Sequence, residues 1–135
     1  MKSKIVKIVI VVVILVLILA ILKNLFSSSD YSRTSKKYSL SNNEKNSVKA
    51  KLEEIENVDS IKIYDNVKII KILVNLSDDT DFETIKRISN ESLENFSEKN
   101  LKYYDIEIYV SSDNKESEIY PQIGYKHKLN QEFSW

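Results

Sequence analysis

The side chains that most invite a chemical reading are acidic. Asp78, Asp79 and Asp81 crowd around Thr80, and Asp105 and Glu107 alternate along a later stretch. Carboxylates at this density can hold calcium, and a pair whose pKa values are pushed apart can share acid–base work in a hydrolysis. A calcium loop, however, alternates its oxygen ligands at fixed spacing, turns on a glycine and closes on a glutamate. That pattern is missing between residues 77 and 88. Thr80 and Glu83 instead match a capping box, with Asp79 and Asp81 placed where a helix N-terminus favours negative charge. Ser89 and Ser92 offer hydroxyls, but no base accompanies them, and they read as small residues that let a helix approach a sheet. His127, the one histidine, stands between Lys126 and Lys128. A single imidazole builds neither a metal site nor a catalytic triad.

Composition closes further routes. The chain has no cysteine, so disulfides, thiolate nucleophiles, Cys-based zinc sites and a lipid-linked cysteine all drop out. Gly124 is the one glycine and Pro121 the one proline, which removes glycine-rich phosphate loops. No cofactor or metal is therefore expected. The formal charge of zero hides an asymmetry: residues 1–38 hold seven Lys/Arg and one acid, the remainder thirteen Lys/Arg and nineteen acids. An acidic domain is a poor ligand for nucleic acid, because phosphate binding needs clustered cations. Asn75, Asn90 and Asn95 head glycosylation sequons; an Asn- and Ser-rich chain produces about two by chance, so they carry no weight.

What remains is recognition. Ile69 and Leu73 fall on the nominally polar face of a strand, Tyr103 and Tyr109 line another, and Phe133 and Trp135 close the tail. These six residues are the candidate partner-binding set. The aromatic tail reads either as a clasp against the sheet or as an exposed anchor. The expected function is a non-enzymatic protein-interaction or self-assembly module. Two alternatives stand beside it: a ligand-sensing domain walled by tyrosines, and a hydrolase using Asp78, Asp79 or Asp105.

The elements that must position these residues begin with an anchor. Ile8 to Leu22 is an unbroken apolar run between Lys7 and Lys23. Alone it spans only about 22 Å of a roughly 30 Å hydrocarbon layer. With Ile5, Val6, Leu25 and Phe26 included and both lysines snorkelling, it reaches about 33 Å. Residues 1–26 therefore read as a transmembrane signal-anchor with a basic N-terminal flank. A cleaved signal peptide, cut near Ser27 and Ser29, is the competing reading. The span has no intramembrane charge and no small-residue stripe, so it reads as a tether. Lys2, Lys4 and Lys7 favour a cytoplasmic N-terminus and an extracytoplasmic domain, against Lys23, Arg33, Lys36 and Lys37 on the other side.

Residues 27–39 form a polar linker and residues 40–135 a small α+β domain. Ser41 with Glu44 opens a helix whose Val48, Leu52 and Ile55 make one apolar stripe. Two strands follow, over 58–64 and 67–76, joined by a turn at Asp65 and Asn66. In the second, Ile70, Ile72, Val74 and Leu76 alternate with Ile69, Lys71, Leu73 and Asn75. A helix over 81–99 leads to a strand over 103–110, parallel to the one ending at Leu76. A weak strand over 119–125, pushed to an edge by Pro121, offers an edge to a partner strand. The expected architecture is a two-layer αββαββ sandwich with a four-stranded mixed sheet, behind a single transmembrane helix.

Overall fold

A computed structural model describes Ile10, residues 12–18 and residues 38–135. The chain divides into two units, Met1–Lys37 and Tyr38–Trp135. In the first, Ile10 and residues 12–18 are helical. The remainder of the expected anchor (1–26) and most of the linker (27–39) lie outside the described residues. Among the described residues no helix is long and apolar enough to cross a membrane.

The second unit is α+β. Helix α1 (Asn42–Leu52) starts with the capping box read from the sequence: Ser41 Oγ accepts from Glu44 N, and Glu44 Oε2 accepts from Ser41 N. Val48 and Leu52 are buried on one face, and Ile55 is buried just beyond the helix end.

Strands β1 (Val58–Asn66) and β2 (Ile69–Leu76) pair antiparallel, with Ile61 opposite Val74 and Ile63 opposite Ile72. The turn between them is Val67 and Lys68, two residues later than the composition indicates. Asp65 and Asn66 stay in the ladder, opposite Ile70 and Ile69. The reason is tertiary: the Asp65 carboxylate takes Lys45 Nζ at 2.6 Å and Leu40 N at 3.3 Å, so it is held in the strand. Val67 then carries a positive φ of 25°, where a branched side chain is strained.

Helix α2 (Phe82–Ser92) is capped by Asp81, whose carboxylate accepts from Thr84 N at 3.0 Å. Thr80, the expected cap, is buried and donates its hydroxyl to Glu56 O at 2.7 Å. The expected continuous helix over 81–99 is broken. A 3₁₀ turn (Leu93–Asn95) follows α2, Phe96 is extended and buried, and helix α3 (Glu98–Tyr103) restarts at the Ser97 cap. Phe96 would share the apolar stripe of a continuous helix, so its burial does not require the break, which is held instead by a new cap pair at the restart. Ser97 Oγ accepts from Asn100 N, and Ser97 N donates to Glu44 on α1 at 2.8 Å.

Strand β3 (Asp105–Ser112) lies parallel to β2, with Ile70, Ile72 and Val74 opposite Ile106, Ile108 and Val110. Strand β4 (Gln122–Lys126) pairs antiparallel with β3. The sheet order is β1-β2-β3-β4, a four-stranded mixed sheet. Buried residues of α1 and α2 and the inward strand residues form one cluster. At about 1.5–3 kcal/mol per buried aliphatic side chain, this cluster is what fixes the helices to one face.

Candidate functional site

Because strand side chains alternate, filling one face of the sheet leaves the other set pointing away from the helices. Register turns that set into rows. Lys62, Leu73, Tyr109 and Ile123 are successive neighbours across the four strands, and Tyr64, Lys71, Glu107 and Tyr125 form the next row. Ile69 and Asp105 continue the face at one end. Their inward neighbours Ile72, Ile106 and Ile108 are fully buried, whereas Tyr64 is 51 % exposed, Ile123 54 %, Tyr125 42 %, Leu73 38 % and Ile69 37 %. Five large apolar residues thus share one open face.

The six candidates named from the sequence separate into three places. Ile69, Leu73 and Tyr109 lie together on the open face. Tyr103 does not: it is the last residue of α3 rather than a strand residue, stacks on Tyr38 at 4.1 Å and meets Tyr104 edge-on. Its expected place on the strand fails because β3 begins two residues later. Phe133 and Trp135 lie on the helical side. Phe133 is buried, its N–H bonded to Asn90 Oδ1 at 3.0 Å. Trp135 packs edge-on against Phe82 at 5.3 Å. It also lies over Gly124, where a Cβ would come within 3.0 Å of the indole and 2.8 Å of Ile108. Of the two readings of the tail, the packing is that of the clasp.

The tail also alters the edge expected to receive a partner strand. Ser134 and Tyr125 exchange both backbone hydrogen bonds, at 2.8 and 2.9 Å, so the outer side of β4 is already paired there. Ile123, Tyr125 and Tyr64 are the open-face residues that sequence reasoning missed. The signal was present in the alternation of 122–126 and 61–64, once their strand register is known.

The chemical candidates are dispersed. Asp105 accepts from Lys128 N at 2.8 Å. Burial raises its pKa, but that N–H, the Tyr125 hydroxyl and the charges of His127 and Lys128 outweigh it, so the carboxyl is held below its usual range. His127 Nε2 is 3.8 Å from the same carboxylate. Asp78 accepts from Asp79 N at 2.8 Å, far along the fold from Asp105. Ser89 and Ser92 are fully buried under the helices, with Ser92 Oγ donating to Ser89 O at 2.7 Å. No group of three metal-ligating side chains occurs among the described residues.

No protein-family model matches the chain, and neither a curated protein nor a solved structure matches it significantly. The open face therefore has to be interpreted from its own chemistry.

Proposed function

We propose that this is a single-pass membrane protein, anchored by residues 1–26 with its N-terminus in the cytoplasm, whose extracytoplasmic domain is a non-enzymatic module that pairs with a second copy of itself. The observation that carries the reading is the open sheet face, with Leu73, Tyr109 and Ile123 in one row. Its charges favour a second copy over a nucleic acid or a single-sign partner. Lys62 and Lys71 stand on β1 and β2, Asp105 and Glu107 on β3. A twofold axis parallel to the strands lays β1 over β4 and β2 over β3, bringing Lys71 of each copy above Glu107 of the other. The same axis keeps both points where the chain enters the domain, at Tyr38, on one end of the pair. Two anchors in one membrane require that.

Size sets the strength. Four strands cover about 19 Å by about 25 Å, so two faces bury roughly 1,000 Å² in total, the low end for a specific interface. Pairing is accordingly weak between free copies and is completed by confinement in one membrane, where tethering raises effective concentration to about millimolar.

The cysteine-free chain makes the test clean. Full-length chains carrying Lys62→Cys and Ile123→Cys are co-expressed and treated with a short bis-maleimide. Across the facing sheets those two positions are about 10 Å apart, whereas Lys62 to its own counterpart is about 17 Å. Cross-linking of the mixed pair above either chain alone is the expected result. Its absence, or an equal yield when Leu73→Asp is added, refutes the pairing. Labelling of Lys115→Cys by an impermeant maleimide before lysis tests the topology separately.

A further inference from the structure

Lys126 is the buried cation of the domain. It lies on the inward side of β4, is 2 % exposed, and has no carboxylate within ion-pair distance among the described residues. Its ammonium reaches two carbonyls, Leu101 O at 3.5 Å and His127 O at 3.3 Å, both long for a charged donor with three hydrogens to place. The Leu101 carbonyl belongs to the last turn of α3, so one contact is a helix-end cap. Burial pushes the ammonium below its ordinary range, with the Asp105 charge acting weakly the other way. A buried charge without a counter-ion is expensive to keep.

That lysine lines a cleft of about 580 Å³ between α2, α3 and residues 128–132. Such a volume falls within the range of small-molecule sites. Leu93, Leu101 and Leu129 supply apolar wall, and Leu129 is 81 % exposed at the lip. The lining carboxylates do not answer Lys126. Glu91 is held by Lys51 and Arg87, and Glu98 by Lys102. Glu94 and Glu132 are exposed, with the equally exposed Lys128 among the lining residues.

We propose that this cleft binds a small monocarboxylic acid, its carboxylate on the Lys126 ammonium and its apolar tail against Leu93 and Leu101. The site lies on the helical side of the sheet, so it is independent of pairing through the open face. Binding supplies the missing counter-charge and replaces two long contacts with a charge-assisted one.

The test uses the full-length chain, with hexanoate as probe and the Leu93 and Leu101 methyl resonances as readout. Hexanoate should shift both methyls saturably. Its neutral analogue hexanamide, and hexanoate with Lys126→Met, should bind about tenfold more weakly or worse, as loss of a charged hydrogen-bond partner requires. The variant keeps the same apolar N-terminal run, so partition of the acid there cancels in the comparison. No saturable shift with hexanoate, equal binding of hexanamide, or unchanged binding to a folded Lys126→Met overturns the proposal. If Lys126→Met does not fold, the acid–amide comparison on the unaltered chain decides alone.

Discussion

Glu44 is the carboxylate whose replacement should cost this domain most. It accepts from Ser41 N at 3.1 Å, Ser41 Oγ at 3.0 Å, Ser97 N at 2.8 Å and Asn100 Nδ2 at 2.9 Å, closing the starts of α1 and α3 together. Burial alone would raise its pKa, but the Ser97 and Ser41 N–H groups and the Asn100 amide outweigh it and lower it from 4.5 to about 2. In Glu44→Gln the side chain keeps one acceptor oxygen and turns an NH₂ toward donors. At about 1 kcal/mol per lost cap, two helix starts give a destabilisation of about 2 kcal/mol. Linkage gives a consistent figure: the lowered pKa corresponds to about 3 kcal/mol before screening, and to about half that for a side chain partly open to water. The contribution is fully present above the unfolded value of 4.5 and is lost as pH falls through about 2. Urea unfolding of the full chain followed by circular dichroism should therefore show a midpoint about 1–2 M lower for Glu44→Gln at pH 7. The gap should narrow below pH 4.5 and close near pH 2. Equal midpoints at pH 7, or a gap that does not change with pH, would refute the double-cap account.

Three further outcomes follow from the geometry. Gly124→Ala should destabilise by about 1–3 kcal/mol, since the new methyl meets Ile108 and the Trp135 ring, and it should red-shift the emission of this one tryptophan. The loss should be smaller in a Trp135→Ala background, measured as a double-mutant cycle in urea. Val67→Gly should stabilise by about 1 kcal/mol, because φ 25° suits glycine and the first position of a two-residue hairpin loop tolerates it; a lower melting temperature would refute this. Leu73→Asp, on the exposed side of β2, should leave the unfolding free energy within about 1 kcal/mol of the parent. It should still abolish the mixed cross-link.

The fold was legible wherever a local rule decided it. Period-two alternation picked out Ile70, Ile72, Val74 and Leu76 as the inward face, and Ser41 with Glu44 announced α1, because both signals live within a few residues. Local rules failed where a distant group intervened. Asp65 and Asn66 read as a turn, yet Lys45 and Leu40 hold Asp65 in the strand and push the turn onto Val67. The helix over 81–99 read as continuous because Phe96 fits its apolar stripe, while Glu44, far away in sequence, stabilises the break at Ser97. The tail was open between two readings since nothing near Trp135 says what it meets. The isolated Gly124 was the available clue, a bare backbone on which an indole can rest. Of the candidates that lie on the open face, Ile69 and Leu73 stand out in the sequence through misplaced polarity and Tyr109 through the tyrosines of its strand. Tyr64, Ile123 and Tyr125 needed the register.

The way the chain enters the domain has a mechanical consequence. Tyr38 stacks on Tyr103, its carbonyl accepts the Tyr104 hydroxyl, and Leu40 N donates to Asp65. Tension applied upstream of Tyr38 is therefore borne first by an aromatic stack, two single hydrogen bonds and the buried Leu40 side chain, not by the ladders of the sheet. Pulling on the chain ahead of Tyr38 should release those contacts before the strand ladders, leaving the open face formed.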